Sequence, residues 1–515
     1  MRTVSSRTHI HKKGRDFYSF LMTSRDIISI VDLTREDILH LCSFGAQLYA
    51  EDRSGQRLAR IDSLKGKVLA SLFYEPSTRT RSSFETGFRE LGGFDPIGFS
   101  GTEGTSVAKG ETIRDTIMMM QANHADVIVM RHPVDGSLQW AADVASIPVI
   151  SGGDGRNEHP TQALLDLLTL YQFNNKKLDG LRIGLGGDLK NGRTIRSLTL
   201  ALSHFHDVQI TWAAEDPLGM PHDLEQNLRQ RDVHVERKTS VAEVLESCEF
   251  YYMTRPQLER MKDVSQREIH ALLKRYRIDA EAIAGFTGRL LHPLPIDSRL
   301  SEITADVAFS PVQGFYAQAE FGVFMRKALL YEILHDVPHA LFSGELPHEL
   351  QSGNNRIYRA PSGKLVGEKF VGLIESGICL DHLRLGTAQQ IADALELVNR
   401  GAGVIAATWG AKSFLKTSLD ALTERDLKTI ALISPEPTIN IVRDRAVQDK
   451  YVYLLCENDT CITRVITEDV PPKFYYDGNL RCRYCRRPYE IRNQKVLEDE
   501  RQRFLNELAK SVHNL

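Results

Sequence analysis

The sequence lacks long apolar runs, has few cysteines, and carries charges that nearly cancel. No window of 18 or more apolar residues occurs in its 515 residues, which argues against a transmembrane helix. Seven cysteines are too few for a secreted, disulfide-stabilised scaffold. Lys and Arg number 64 against 67 Asp and Glu, so the chain as a whole is not suited to coating nucleic acid or an anionic membrane. We therefore expect a cytoplasmic protein with about three or more globular domains and no membrane or nucleic-acid partner.

Motifs for organic cofactors and covalent nucleophiles are also missing. Gly184-Leu185-Gly186-Gly187 resembles a dinucleotide-binding turn, but the third glycine of that fingerprint would fall at Leu189. No Walker motif, His-Glu-x-x-His or nucleophile elbow is present. We therefore expect no organic cofactor.

The pattern from about 25 to 345 alternates short apolar runs with amphipathic stretches, which predicts an α/β fold with two doubly wound parallel sheets. The predicted strands cover 67–74, 126–130, 148–150, 181–185, 208–212, 249–253 and 290–292. We place the predicted domain limits at 1–23 (a basic extension), 24–160, 161–345, 346–365 (a polar linker), 366–455 and 456–515. The extension has three interpretations: a disordered tail, a transit peptide, or residues upstream of a true start at Met22.

The segment FYEPSTRTRSSFETGFRELGG, residues 73–93, carries the strongest chemical signal. A strand runs into Ser77, Thr78, Arg79 and Thr80, where a helix begins, and a helix N-terminus binds anions through its free N–H groups. Ser77 is a candidate N-cap, and Arg79 offers a planar fork that matches phosphate. Taken alone, the segment also fits an ordinary helix cap with surface arginines.

Further polar residues follow the other predicted strands, where open α/β sheets bind their ligands. These residues are Arg131, His159, Arg193, Arg255 and the pair Leu294-Pro295. Several cations with almost no carboxylate indicate polyanionic substrates.

Four of the seven cysteines lie within 30 residues, as Cys456-x4-Cys461-x20-Cys482-x2-Cys485. Two paired thiolate knuckles are typical of a tetrahedral structural zinc site, so we expect one Zn²⁺ per chain. The arginines around the second pair also leave open a nucleic-acid-binding ribbon.

Residues 25–340 resemble the catalytic chain of aspartate carbamoyltransferase. The matching stretches, in the family's order, are FYEPSTRTRSSFE, TSVAKGET, VMRHP, GGDGRNEHPTQALLDL, GDLKNGRT, YMTRPQ and HPLP. The resemblance implies the substrates carbamoyl phosphate and L-aspartate and a homo-oligomer, either a catalytic trimer or a dimer of trimers.

The same resemblance implies a role for each matching residue. The phosphate would be held by Ser77, Thr78, Arg79 and Thr80. The carbonyl would be polarised by Thr80, Arg131 and His159, and the carbamoyl amine would be taken by Gln162 and the backbone at Leu294 and Pro295. The aspartate carboxylates would be bound by Arg193, Arg255 and Gln257, and a neighbouring subunit would supply Ser106 and Lys109.

Residues 366–510 resemble the regulatory chain of the same enzyme, through GICLDHL, ISPEPTINIVRD and CENDTC…CRYC. This resemblance implies an α+β nucleotide-binding-like domain followed by a small zinc-ribbon domain, and it argues against the nucleic-acid interpretation. The implied effector-nucleotide candidates are Asp381, His382, Lys412, Lys416, Asn440 and Lys450. Lys412 and Lys416 are four residues apart, which predicts one face of a helix, although an ordinary solvated lysine pair fits equally well.

The chain departs from the family pattern at Ile296, Phe321 and Arg445, which we interpret as changes in packing, domain closure or effector choice. We predict a natural fusion of catalytic and regulatory chains that makes N-carbamoyl-L-aspartate for pyrimidine biosynthesis. One alternative is another transcarbamylase such as that for ornithine, which typically has HCLP rather than HPLP. Another is a catalytically silent zinc-bearing scaffold or RNA binder.

Overall fold

The computed structural model describes residues 26–214, 218–257, 265–297, 299–334, 356–358, 375–409, 412–444, 446–476 and 479–490. The predicted N-terminal extension and the departure at Arg445 lie outside these residues.

The first domain is built on a parallel sheet of strand order β2-β1-β3-β4. Its strands are β1 (Leu69–Phe73), β2 (Ile97–Ser100), β3 (Val127–His132) and β4 (Val149–Asp154). Its helices are α1 (Arg35–Arg53), α2 (Thr78–Glu90), α3 (Ile113–Ala122), α4 (Ser137–Val144) and α5 (Pro160–Phe173). Every residue of β1 is buried, as expected for a central parallel strand covered on both faces.

The second domain has a parallel sheet of order β7-β6-β5-β8-β9. The strands are β5 (Arg182–Gly187), β6 (Gln209–Trp212), β7 (His234–Arg237), β8 (Phe250–Thr254) and β9 (Arg289–Leu291). The helices are α6 (Arg193–Leu202), α7 (His222–Gln230), α8 (Val241–Ser247), α9 (Gln266–Tyr276), α10 (Ala305–Ala308) and α11 (Phe315–Leu334). All seven strands predicted from the sequence are present, and β2 and β7 are additional.

One hydrophobic core joins the two domains. Helix α11, at the end of the second domain, packs against α1, α2 and α5 of the first. Phe84 of α2, Leu168 of α5 and Met325 of α11 are all fully buried in this core. The packing fixes the two sheets beside each other, so that their carboxyl edges border one site.

The third unit has a core of its own. Its six-stranded antiparallel sheet has the order β10-β15-β14-β11-β13-β12. The strands are β10 (Arg356–Tyr358), β11 (Gly377–Arg384), β12 (Val404–Trp409), β13 (Lys412–Thr417), β14 (Thr438–Arg443) and β15 (Ala446–Tyr453), and the helices are α12 (Thr387–Ala394) and α13 (Glu424–Ile433). Residues 356–358, within the predicted linker, pair with β15 as an edge strand.

The predicted helical face bearing Lys412 and Lys416 is wrong. Both residues belong to strand β13, which pairs with β11 and β12. A spacing of four returns to the same face in a strand as well as in a helix, but the two positions then lie about 13 Å apart. Only Phe414 and Thr417 favour a strand by themselves, and the pairing of β13 with a neighbour on each side decides its structure.

The C-terminal module is a small ribbon of β16 (Phe474–Tyr476) and β17 (Leu480–Cys482) that docks on the first domain. Its Ile462 and Tyr484 share one buried cluster with Leu138 of α4. Asp135, which precedes α4, accepts hydrogen bonds from Asn458 and Thr460, at 2.9 and 2.8 Å. The module is therefore attached to the first domain by a common core as well as by polar contacts.

None of the helices among the described residues is long and apolar enough to cross a membrane.

Candidate active site

The N-terminus of α2 faces the edge where β1 ends. Ser77 is the N-cap residue, as predicted, but its side chain makes no capping hydrogen bond. The first turn of α2 contains no acidic side chain. The helix N-terminus therefore keeps N–H groups and the positive end of its dipole for an anion.

Three of the predicted catalytic side chains meet beside this helix. Thr80 Oγ1 lies 3.5 Å from His159 Nε2, and both residues are buried. Arg131 Nε donates to the Gly152 carbonyl at 2.8 Å, which holds the guanidinium at the end of β3. The residues come from α2, β3 and the turn before α5, so the parallel sheet alone brings them together.

Gly153 explains the close approach of two more side chains. It has φ +106°, and a Cβ there would lie 3.1 Å from Arg193 Cζ and 3.2 Å from His159 Cδ2. Arg193 donates to the Gly155 carbonyl at 3.0 Å and lies 3.5 Å from Glu75. The glycine thus makes room for a residue of the second domain against the edge of the first.

Burial and mutual repulsion control the charges of the cluster. Burial is the main cause that holds the pKa of Arg131 well below its ordinary value, and the positive charge of neighbouring Arg193 lowers this pKa further. Burial lowers the pKa of His159 well below its usual range, and nearby Arg131 and Arg193 lower it further. His159 is therefore a neutral imidazole at pH 7. The neighbouring arginines repel one another, and an anionic ligand would reduce that repulsion.

The second domain contributes a group of polar residues after β5 and β8. Gln257 donates from Nε2 to the Asn191 carbonyl at 2.8 Å, and its backbone N–H donates to Asp188 at 3.1 Å. Arg255 lies 4.0 Å from the carboxylate of Asp297. Buried Asp188 thus fixes the loop that carries Arg255 and Gln257.

The loop after β9 touches the anion site directly. Arg79 Nη2 donates to the Leu294 carbonyl at 2.7 Å, and the Leu294–Pro295 peptide bond is cis. Burial lowers the pKa of Arg79 from its ordinary value. A predicted phosphate ligand and a predicted amine acceptor are therefore neighbours.

Ser106 and Lys109 lie on the exposed turn between β2 and α3. The turn is closed by its own backbone, through Lys109 N to Ser106 O at 2.9 Å. The exposure of both side chains is compatible with the predicted contribution to a neighbouring subunit.

Several residues around the site were not predicted from the sequence. Asp166 is fully buried and accepts from Gln162 Nε2 at 2.9 Å, a spacing of i to i+4 on α5 that was visible in the sequence. Gln318 and Arg326 reach the site from α11, more than 150 positions away, and no local signal could have found them. Arg326 is buried, and its guanidinium lies 5.2 Å from the centre of the Phe84 ring.

Two departures from the family pattern lie in packed surroundings. Phe321 is buried and makes an edge-on contact with Tyr49, with ring centres 5.0 Å apart. Ile296 is partly buried against the shared core of the first two domains. Both side chains serve packing in this chain.

The effector candidates spread over one antiparallel sheet. Asp381 and His382 lie on β11, with the carboxylate 3.3 Å from the imidazole. Lys416 on β13 is buried, and its ammonium lies 5.8 Å from the Phe414 ring centre. Asn440 and Lys450 are register partners on β14 and β15, and the Asn440 amide donates to the Cys379 carbonyl at 2.9 Å. The side chain of Lys412 lies outside the described residues.

The four clustered cysteines converge as predicted. The sulfurs of Cys456, Cys461, Cys482 and Cys485 are buried and all lie within 4.8 Å of one another. Sulfurs bound at about 2.3 Å to a tetrahedral ion lie about 3.8 Å apart, close to the 3.5 and 3.7 Å of the two nearest pairs. Thr463 Oγ1 donates to Cys461 Sγ at 3.3 Å, an outer contact typical of metal-bound thiolates. The donor set fits a structural metal ion with four protein ligands.

Models of four protein families match the chain in succession. The descriptions are aspartate/ornithine carbamoyltransferase, carbamoyl-P binding domain (25–172), and the Asp/Orn binding domain of the same family (179–333). The aspartate carbamoyltransferase regulatory chain follows, with its allosteric domain (370–453) and its metal binding domain (451–494).

Individual proteins agree with these matches. The aspartate carbamoyltransferase catalytic subunit of Bacteroides fragilis is 40% identical over 316 residues, which cover 61% of this chain and 97% of that protein. The corresponding subunit of Thermococcus onnurineus is 41% identical over 308 residues, 59% of this chain and 96% of that protein.

Solved structures show the same fold. The catalytic subunit of M. jannaschii aspartate transcarbamoylase is 36% identical with a TM-score of 0.56, and the match covers 61% of this chain and 98% of that one. The Trypanosoma cruzi enzyme in complex with N-(phosphonacetyl)-L-aspartic acid is 33% identical with a TM-score of 0.56, covering 61% and 97%. The predicted fold class is confirmed, and the chain belongs to the aspartate carbamoyltransferase family, with the catalytic and regulatory domains in one polypeptide.

Proposed function

We propose that this protein transfers the carbamoyl group of carbamoyl phosphate to the amine of L-aspartate, giving N-carbamoyl-L-aspartate and phosphate in pyrimidine biosynthesis. One observation carries the proposal: Arg79, Thr80, Arg131, His159 and Arg193 converge beside the open N-terminus of α2. Family membership supports the same reaction.

The phosphate of the donor binds at the N-terminus of α2. Ser77, Thr78 and Thr80 offer backbone N–H groups and hydroxyls, and Arg79 offers two parallel donors. As the phosphate leaves, its charge grows, and these donors stabilise that charge more than they stabilise the bound substrate.

The carbamoyl carbonyl is polarised by Thr80, Arg131 and His159. Because His159 is neutral, it can donate a hydrogen bond to the developing oxyanion without adding to the repulsion among the arginines. The amine of aspartate attacks the carbamoyl carbon, the bond to phosphate breaks, and the leaving phosphate takes the amine proton. Holding the two reactants in line supplies much of the remaining acceleration.

The second substrate is bound by Arg193, Arg255 and Gln257 through its two carboxylates. A cationic pair suits aspartate, whereas the side-chain ammonium of ornithine would be repelled. Asp188 and Asn191 hold Gln257 in place, which supports a rigid acceptor site.

The remaining parts of the proposal concern assembly and the metal. The exposed turn with Ser106 and Lys109 supports a trimer, or a dimer of trimers, with shared active sites. The metal is a structural Zn²⁺, because four buried thiolates are its preferred closed set. Seven unpaired cysteines support a reducing compartment such as the cytoplasm.

The regulatory domain binds a nucleotide near Asp381, His382, Asn440 and Lys450. Lysines can contact phosphates as point charges, and Asp381 can accept from a ribose or base donor. Lys416 is buried, so its charge acts on the nucleotide at a distance and not by direct contact.

The test is a colorimetric ureido assay with carbamoyl phosphate and either L-aspartate or L-ornithine. We expect turnover with aspartate and none above background with ornithine. Turnover with ornithine only, or with neither amine, contradicts the proposal.

A further inference from the structure

A buried carboxylate joins two parts of the site that are far apart in the sequence. Asp166 Oδ1 accepts hydrogen bonds from Gln162 Nε2 at 2.9 Å and from Gln318 Nε2 at 2.6 Å. Asp166 Oδ2 accepts from the hydroxyl of Tyr252 at 2.8 Å. Asp166, Gln318 and Tyr252 are almost completely buried, so water does not compete for these bonds.

The same network continues into the loop after β9. The backbone N–H of His292 donates to Gln318 Oε1 at 2.9 Å. The backbone N–H of Leu294 in turn donates to His292 Nδ1 at 2.8 Å. Asp166 is therefore linked on one side to the Gln162 amide and on the other to the backbone at Leu294.

The network also fixes which end of each amide points where. Burial raises the pKa of Asp166 to about 7, so at pH 8 its carboxylate is mostly ionised and only accepts hydrogen bonds. Both glutamines then turn their NH₂ groups towards Asp166, as observed. The oxygen of Gln318 then faces His292 N, as observed, and the oxygen of Gln162 lies at the opposite end of its amide from Asp166. A carbamoyl group, whose NH₂ donates two hydrogen bonds, needs acceptors such as the Gln162 oxygen and the Leu294 carbonyl.

We propose that Asp166 and Gln318 are positioning residues that orient Gln162 and the loop 292–295 as acceptors for the amine of the donor substrate. The inference rests on the proposed function and adds a source of selectivity to it. An enzyme built in this way favours a carbamoyl donor over an acyl phosphate, which has no amine to offer.

The experiment compares two quantities in the full chain at pH 8. One is kcat/KM for carbamoyl phosphate at saturating aspartate. The other is the calorimetric Kd of N-(phosphonacetyl)-L-aspartate, which carries the phosphonate, carbonyl and both carboxylates but lacks the carbamoyl amine.

Asp166→Leu removes the shared acceptor and should lower kcat/KM at least about ten-fold, because both amides lose their orientation. The Kd of the analogue should change less than about three-fold, since the analogue has no carbamoyl NH₂ to donate to these acceptors. Asp166→Asn should restore most of kcat/KM, because its oxygen can still accept from both glutamines while its NH₂ donates to Tyr252.

The control is Asp37→Asn, which alters a buried carboxylate that accepts from Thr34 in the capping box of α1. It should leave the ratio of the two quantities unchanged. If Asp166→Leu shows no thermal unfolding transition, it is not folded, and Gln318→Leu is tested in its place. We expect the same result: a lower kcat/KM for carbamoyl phosphate with a nearly unchanged Kd of the analogue.

Equal losses in kcat/KM and in analogue affinity would overturn the inference, since they indicate a merely structural role. Unchanged kcat/KM in Asp166→Leu would overturn it as well. A wild-type chain that binds the analogue but forms no product would instead overturn the proposed function.

Discussion

Two regions of this chain are rich in cations and are proposed to bind phosphates, but they are built differently. In the catalytic region, Arg79, Arg131 and His159 belong to distant segments that parallel strands bring to one edge. In the regulatory region, Asp381, Lys416 and Lys450 lie along three strands of one antiparallel sheet. A parallel sheet collects its strand ends at one place, whereas an antiparallel sheet distributes side chains over a face.

This difference separates the proposed roles. Arg131 and Arg193 are partly buried beside neutral His159 and repel one another, so an anion both neutralises and orders them. Asp381, His382 and Lys450 are partly exposed, whereas Lys416 and Asn440 are buried. Asp381 already has charged neighbours in His382 and Lys450. Binding in the first region can stabilise a transition state, and binding in the second can only shift a conformational equilibrium.

The largest effect is expected from Arg79→Ala. The variant loses the fork that neutralises the leaving phosphate, and turnover should fall by about 10²–10³. Thermal melting should change little, because Arg79 is an exposed residue in the first turn of α2. Arg89→Ala, on the same helix but in surface ion pairs, is the matched control and should keep its turnover. Near-normal turnover in Arg79→Ala would show that the phosphate binds elsewhere.

A second experiment tests whether each active site uses residues from one chain or from two neighbouring chains. Arg79→Ala and Lys109→Ala chains should each be nearly inactive, and mixing them after dissociation and reassociation should restore part of the activity. Restoration follows if the turn with Ser106 and Lys109 serves a neighbouring subunit, because some interfaces then hold both wild-type groups. A mixture as inactive as its parents would show that the turn serves its own chain.

Removal of the metal tests the C-terminal module, which follows the regulatory region in the chain and packs on the first catalytic domain. Cys482→Ser should release about one metal ion per chain and unfold the C-terminal module, since metal binding supplies much of its folding free energy. The melting temperature should fall, because the module shares a buried cluster with the first domain, while turnover stays within a few-fold of wild type. Metal analysis and melting check this, with Cys248→Ser as a control for loss of a buried thiol. An unchanged metal content would remove Cys482 from the ligand set.

The smallest effect concerns the regulatory region. CTP, UTP or ATP should shift the aspartate saturation curve several-fold, as a coupling free energy of about 1–3 kcal/mol implies. Lys416→Met with Lys450→Ala should abolish the shift without lowering maximal turnover. Methionine retains the buried stem of Lys416, and exposed Lys65→Ala with Lys177→Ala is the control pair. If calorimetry detects no nucleotide binding, the proposed effector site is contradicted and the domain has a structural role only.

The comparison also explains what the sequence could predict. The seven predicted strands are short apolar runs between amphipathic helices, and all are present in the two parallel sheets. Strand β7 was missed because it is an edge strand in which only Val235 is buried. The Lys412 and Lys416 helix was wrong because a spacing of four fits both periodicities, and the pairing of β13 with a neighbour on each side decides its structure.

The site was predictable where the parallel sheet supplies a rule. Residues near the carboxyl ends of strands, such as Arg131 in β3 and Arg193 at the start of α6, could be selected one by one from the sequence. Asp166 could have been found from its i to i+4 relation to Gln162. Gln318 could not, because its contact with Asp166 spans 152 positions and depends on how α11 packs between the domains.

The most direct test of the account is calorimetric titration of the intact protein with N-(phosphonacetyl)-L-aspartate. We expect one tight site per wild-type chain, binding at least about 100-fold weaker in Arg79→Ala, and unchanged affinity in Lys416→Met with Lys450→Ala. Equal affinity in Arg79→Ala, or a loss of binding in the regulatory variant, would contradict the assignment of catalysis to the first region and regulation to the second.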